Sequence, residues 1–212
     1  MGTPQIEPVI ARVQVPPGML GPHAVTFEVR CFVVAGPSGV VIVDTGPPGS
    51  VGLIGEALAR VGAAWSDVTD IVLTHRHFDH VGGLSETAGV ASGATLWAGA
   101  DDAAEIPAAG GRLRPLADGQ KVGDLQILDT PGHTPGHVSL LHEDGGILLI
   151  GDLVGSVEGA LAFGPASFTA DPALNRRSLQ RVADLRPARI LYSHGGEVPD
   201  PGRAIRQLLD GP

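Results

Sequence analysis

The sequence predicts an α/β chain made of two similar halves packed sheet to sheet, with helices on the outer faces. Three observations carry this. Strand and helix signals run in the order strands, helix, strand, helix, and that order then repeats. The apolar runs are short and rich in Val, Ile and Leu, as buried strands are. Hydrophobic residues make up 43% of the chain and charged ones 17%, with 31 glycines and 18 prolines to turn it. Its 212 residues fit one domain spanning 1–212.

The elements follow in order. "IEPVIARVQV" (6–15) and "AVTFEVRCFVVAG" (24–36) are strands, bounded by Pro and Gly. "GVVIVDTG" (39–46) is a buried strand that ends in a turn. Val51, Ile54, Leu58 and Val61 then recur at helical spacing, with Ser50 as the expected N-cap. "DIVLTHRH" (70–77) is a buried strand running directly into histidines. "ATLWAG" (94–99) is a strand and "ADDAAEI" (100–106) a short helix. Residues 120–152 read as successive strands, with a hairpin turn at Glu143–Gly146. Asp171 caps a helix that has Pro172 at its first position. "ARILYSHGG" (188–196) is a late strand, and "PGRAIRQLLDG" (201–211) closes the chain as a helix.

Composition excludes several classes of function. The net charge is −9 and no Lys/Arg run occurs, so no nucleic-acid partner is expected. Cys31 is the single cysteine, which rules out an intramolecular disulfide and thiolate clusters. No apolar run approaches the roughly 20 residues of a membrane span, so no membrane partner is expected. The first residues lack the basic and apolar regions of a secretion signal. The expectation is a cytoplasmic enzyme acting on a small molecule, compatible with a homo-oligomer.

"THRHFDHVGG" (74–83) is the densest chemical signal. In an extended segment His75 and His77 point the same way, so both can hold one ion. Asp79 and His80 come after the chain bends and can serve a neighbouring position. Gly82 and Gly83 let the backbone pass close to a crowded site. A lone histidine is usually a loop residue; three beside an aspartate within six positions are not. Further candidates follow apolar strands: His133, Asp152 and His194. His137, four residues after His133, competes with it as a ligand or supports the site from its place at the start of a strand. Asp44 either orients ligands or caps a turn. His23 and His142 are read as non-ligands, and Cys31 as a core residue.

These residues resemble a known family. From "VIVDTG" through "THRHFDHVGG", "DTPGHTPGH" and "GDLV" to "YSHGG", the chain is similar to the metallo-β-lactamase-fold hydrolase superfamily over nearly its full length. The resemblance implies an αββα sandwich of two mixed sheets, with metals at one sheet edge. It implies that His75, His77 and His133 bind a first ion, that Asp79, His80 and His194 bind a second, and that Asp152 bridges both. The last motif carries Ser193 where the common form has glycine.

The implied reaction uses two zinc ions about 3.5–4 Å apart that share a hydroxide. The hydroxide attacks a carbonyl, and Asp79 holds it and moves a proton towards the leaving group. An aspartate at position 152 resembles the bridging residue of glyoxalase II-like thioesterases, lactonases and persulfide dioxygenases; true β-lactamases of this fold lack it. The expected activity is therefore hydrolysis of an ester, thioester or lactone. The alternative is a mononuclear iron (Fe²⁺) persulfide dioxygenase using His75, His133 and Asp152. β-Lactamase activity and a non-catalytic metal-binding role rank lower. The segments 16–25 and 157–168 are expected to set specificity; both are apolar and carry little basic charge.

Overall fold

The computed structural model describes residues 4–18, 21–106 and 113–211. Thirteen strands and six helices are described among them. A six-stranded sheet holds β1 (Gln5–Val15), β2 (Val25–Gly36), β3 (Gly39–Val43), β4 (Val68–Leu73), β5 (Thr95–Gly99) and β6 (Leu113–Leu116), in that order. β1, β2 and β3 pair antiparallel, and β3 to β6 pair parallel. The second sheet runs β13-β10-β9-β8-β7, from β7 (Lys121–Val122), β8 (Leu125–Asp129), β9 (Val138–His142), β10 (Ile147–Leu149) and β13 (Arg189–Leu191). It is antiparallel except for β10 beside β13. β11 (Gly155–Val157) and β12 (Ala160–Ala162) form a separate hairpin. The helices are α1 (Val51–Arg60), α2 (Phe78–Val81), α3 (Leu84–Val90), α4 (Ala100–Ala103), α5 (Pro172–Leu185) and α6 (Pro201–Asp210).

The layers follow from side-chain alternation along strands buried on both faces. In β4, Ile71 and Leu73 face Ile54 and Leu58 of α1 and Leu84 of α3, while Val72 faces the other sheet. Val41 and Val43 meet Leu125, Ile127 and Leu140 between the sheets. Leu148 and Ile190 turn outward onto Leu179 and Val182 of α5 and Ile205 of α6. The result is helices, sheet, sheet, helices, as expected from the repeated element order. No described helix is long and apolar enough to cross a membrane.

Local expectations fare unevenly. Asp171 caps α5 by accepting from the Leu174 amide at 2.8 Å, with Pro172 in the first turn. The hairpin turn forms at Glu143–Gly146, and His142 accepts there from the Gly145 amide. Ser50 precedes α1 but does not cap it. Its backbone is already helical, and its hydroxyl donates to Pro47 O at 2.7 Å instead. β6 and the β11–β12 hairpin have no counterpart in the sequence reading.

Candidate metal centre

Four chain segments that follow strands meet at one edge of the two sheets. They come after β4, β8, β10 and β13, and they bring His75, His77, Asp79, His80, His133, Asp152 and His194 together. Their donor atoms form three overlapping groups: His75, His77 and His133; His75, His80 and Asp152; and Asp79, His80 and His194. Within each group the donors lie within 4.8 Å of one another. Asp152 sits in the middle. Its carboxylate oxygens lie 3.3 Å from the Nε2 atoms of His80 and of His194, 3.6 Å from that of His133 and 3.9 Å from that of His75.

Backbone geometry permits this crowding at two glycines. A Cβ on Gly83 would lie 2.4 Å from Thr45 O, so the turn after the histidines needs glycine, as the sequence suggested. Gly151 has φ +62°, and a Cβ there would lie 2.5 Å from His137 Nε2. That opening lets the Asp152 amide donate to His137 Nε2 at 3.0 Å.

Hydrogen bonds fix which ring nitrogen each histidine offers. A carbonyl or carboxylate oxygen only accepts, so a ring nitrogen bonded to one must carry the proton. His80 Nδ1 donates to Asp44 Oδ2 at 2.8 Å, and His194 Nδ1 donates to Glu28 O at 2.9 Å. Thr74 Oγ1 donates to Asp44 Oδ2, so it accepts from His75 Nδ1 at 3.0 Å. Each of these histidines is left with Nε2 directed at the cluster. Asp44 therefore orients two histidines, one directly and one through Thr74. It does so from a left-handed backbone, φ +63°, steadied by the Thr74 amide on Oδ1.

His133 and His137 separate on the same ground. His137 is satisfied at both nitrogens, since Nδ1 donates to Thr130 O and Nε2 accepts from Asp152. It holds the aspartate loop and has no donor to spare. His133 Nε2 faces His77 Nδ1 at 2.9 Å. Ligands of a tetrahedral ion with bonds of about 2.0–2.1 Å lie about 3.3 Å apart, close to that spacing.

Asp102 is a supporting residue that sequence reasoning missed. Fully buried, it accepts from the Arg76 amide at 3.1 Å, from Arg76 Nη1 and the Gly136 amide at 3.0 Å each, and from Thr134 Oγ1. It thereby ties the segment of His75 and His77 to the segment of His133. The available signal was the acidic pair Asp101 and Asp102 soon after β5, a strand that ends at the same sheet edge.

Electrostatics divides the histidines into two sets. Burial lowers His75 well below the usual imidazole range, lowers His77, and brings His133 to about 4, so these three are neutral. Burial would do the same to His194, but Asp152, together with hydrogen bonds to Asp152 and Asp79, lifts it to about 10. His80 is likewise raised against its burial by Asp152 and Asp44. Asp152 is largely removed from water, which favours the neutral acid, yet His80 and His194 hold it well below the ordinary carboxylate range.

The donor set fits metal ions. His75 Nε2, His80 Nε2 and Asp152 Oδ1 are buried with no protein hydrogen-bond partner among the described residues. That would be costly unless another group engages them. His80 and His194 must lose their protons to coordinate, whereas His75, His77 and His133 need not. Metal uptake at neutral pH should therefore release protons from His80 and His194, and affinity there should rise with pH. Calorimetry in buffers of different ionisation enthalpy measures this; uptake with no proton release would contradict it.

A sandwich that gathers histidine and carboxylate donors between loops of both sheets defines a class of metal-dependent enzyme. The model of the metallo-beta-lactamase superfamily matches residues 25–194, and the chain belongs to that superfamily. It is 30% identical to the probable metallo-hydrolase YflN of Bacillus subtilis, over 89% of this chain and 88% of that protein. A hydroxyacylglutathione hydrolase of Rhodospirillum rubrum is 27% identical over 87% of this chain and 72% of its own length. Among solved structures, TTHA1623 in a di-iron-bound form aligns with a TM-score of 0.69 and 26% identity, covering 90% of this chain and 97% of that one. The chain is accordingly a metal-dependent hydrolase.

Proposed function

We propose that residues 1–212 act as one unit, a dinuclear zinc hydrolase that cleaves an ester, thioester or lactone. The observation that carries this is the position of Asp152, within 3.9 Å of four histidine nitrogens drawn from both donor sets. His75 Nε2, His77 Nδ1 and His133 Nε2 would hold one ion, Asp79, His80 and His194 the other, and Asp152 both. Bound there, the ions would supply Lewis acidity and bring the pKa of water down to about 7.

The chain's own groups do the rest. Asp79 reaches the cleft with its carboxylate 3.3 Å from His194 Nε2. Burial alone would raise its pKa, but the His194 hydrogen bond lowers it, so Asp79 is ionised and ready to take a proton from water and pass it to a leaving group. No side-chain nucleophile competes among the described residues lining the cleft. Ser156 there has its hydroxyl committed to Gly196 O. Cys31 is buried in the core, and that burial raises its thiol pKa well above the usual value, so it stays protonated.

Chelation should abolish cleavage of simple esters, thioesters and lactones, and zinc should restore it. In H₂¹⁸O the product acid should gain one labelled oxygen. Consumption of O₂ with glutathione persulfide, one iron per chain and no ester or thioester cleavage would establish the dioxygenase instead. A paired substitution checks the ligand choice. His133→Ala should abolish activity and lose metal, while His137→Ala should retain metal with affinity weakened about 10–100-fold, as for a supporting residue. Metal analysis after gel filtration reads both, and loss confined to the His137 variant would reverse the assignment.

A further inference from the structure

The cleft above the metal centre encloses about 780 Å³, within the size range of small-molecule sites. One wall comes from β1 and β2, through Val13, Val15 and Phe27. The other comes from the β11–β12 hairpin and the segment after it, through Val157, Phe163 and Phe168. Val157 is 63% exposed and Phe168 38%, although both are large and apolar. Exposed apolar groups gathered around a cavity mark a surface that a ligand covers.

Charge is scarce on these walls. Apart from the histidines, Arg30 is the one cationic residue lining the cleft among the described residues; Glu28 beside it also lines the cleft and accepts from its Nη2 at 3.2 Å, while its Nη1 is buried with no partner among the described residues. A substrate tail bearing carboxylates, such as a glutathione moiety with two, would meet Val and Phe where it needs cations. Leaving a charge unpaired against such walls is costly. A chain of methylenes gains at each step instead.

We propose that the natural substrate has an uncharged, apolar acyl chain or ring that lies between the Val13–Val15–Phe27 wall and the Val157–Phe163–Phe168 wall. This rests on the hydrolase reading and narrows it. The carbonyl carbon sits over the metal centre, water adds to it, the bond to the leaving oxygen or sulfur breaks, and the leaving group departs with a proton. The apolar carboxylic acid is the product.

The test uses the zinc-loaded protein with p-nitrophenyl esters from acetate to octanoate. It adds two thioesters, octanoyl-N-acetylcysteamine and S-lactoylglutathione. kcat/KM should rise roughly fourfold per methylene, and the octanoyl thioester should be preferred to S-lactoylglutathione. Phe168→Ala and Val157→Ser alter exposed residues, so folding is spared. Each should flatten the chain-length series. A separate arm needs no turnover: decanamide should bind the metal-stripped protein in calorimetry, about tenfold more weakly after Phe168→Ala. A flat series, or preference for S-lactoylglutathione, overturns the proposal while leaving a hydrolase; the latter would point to Arg30 as an anion contact. If nothing is cleaved, the hydrolase reading falls, and the decanamide measurement alone decides whether the cleft takes apolar chains.

Discussion

Asp152→Ala is expected to strip metal from both positions and to lower kcat/KM by about a thousandfold or more, the scale of losing metal-assisted charge stabilisation. The reason lies in its placement. One carboxylate approaches His75, His80, His133 and His194, so its removal takes a donor from both ions at once. It also removes the negative charge that keeps His80 and His194 protonated before loading, so the pH dependence of metal uptake should flatten. His75→Ala makes the useful contrast, because it should weaken the first position and spare the second. Elemental analysis of the two variants reads this directly, and normal metal content in Asp152→Ala would remove the bridging role.

Asp79→Asn should lower kcat by about 10²–10⁴-fold, the usual range for losing a positioned general base or acid. An amide still accepts a hydrogen bond from His194 but cannot take a proton. The side chain stands at the cleft on the short helix α2, away from the packed core, so the fold should survive. The informative readout is the split between metal content and turnover. A variant that keeps both ions and loses kcat supports proton transfer by Asp79, whereas one that keeps both ions and full kcat leaves Asp79 as a ligand only.

Much of the fold was legible because its central strands are buried on both faces. Runs such as "GVVIV" and "DIVL" then stand out as unbroken apolar segments. The seven residues that meet at the sheet edge were legible for a related reason: each lies beyond such a run, where the chain leaves the core. β6 was not, since "LRPL" has Arg114 and Pro115 exposed, and its proline suits an edge strand. The three-residue strands β11 and β12 pair only with each other, and of their residues only Ser156 is buried, so no apolar run marks them. The segment 157–168 does line the cleft as expected. The first hairpin contributes Val13, Val15 and Phe27 from its strands rather than the described residues of the 16–24 connection.

Supporting contacts were the least legible of all, because they exist only once distant segments meet. The choice of His133 over His137 rests on where Thr130 and Asp152 fall around the second ring. Asp102 looks like its neighbour Asp101 in the sequence, yet one is buried and the other exposed. The difference comes from the close pass of Gly99 against Gly136, where a Cβ would lie 1.9 Å from a carbonyl oxygen.

The clamps made by Asp44 and Asp102 run entirely between protein atoms. Because these contacts need no ion, the expectation is that an arriving ion meets donors already aimed and has little chain to reorganise. Imidazole and carboxylate accept zinc, iron and manganese alike. A frame that stays the same for each of them leaves the choice of ion to supply. The metal found in the protein would then record the growth medium of the cells that made it, and exchange between zinc and iron would proceed without unfolding.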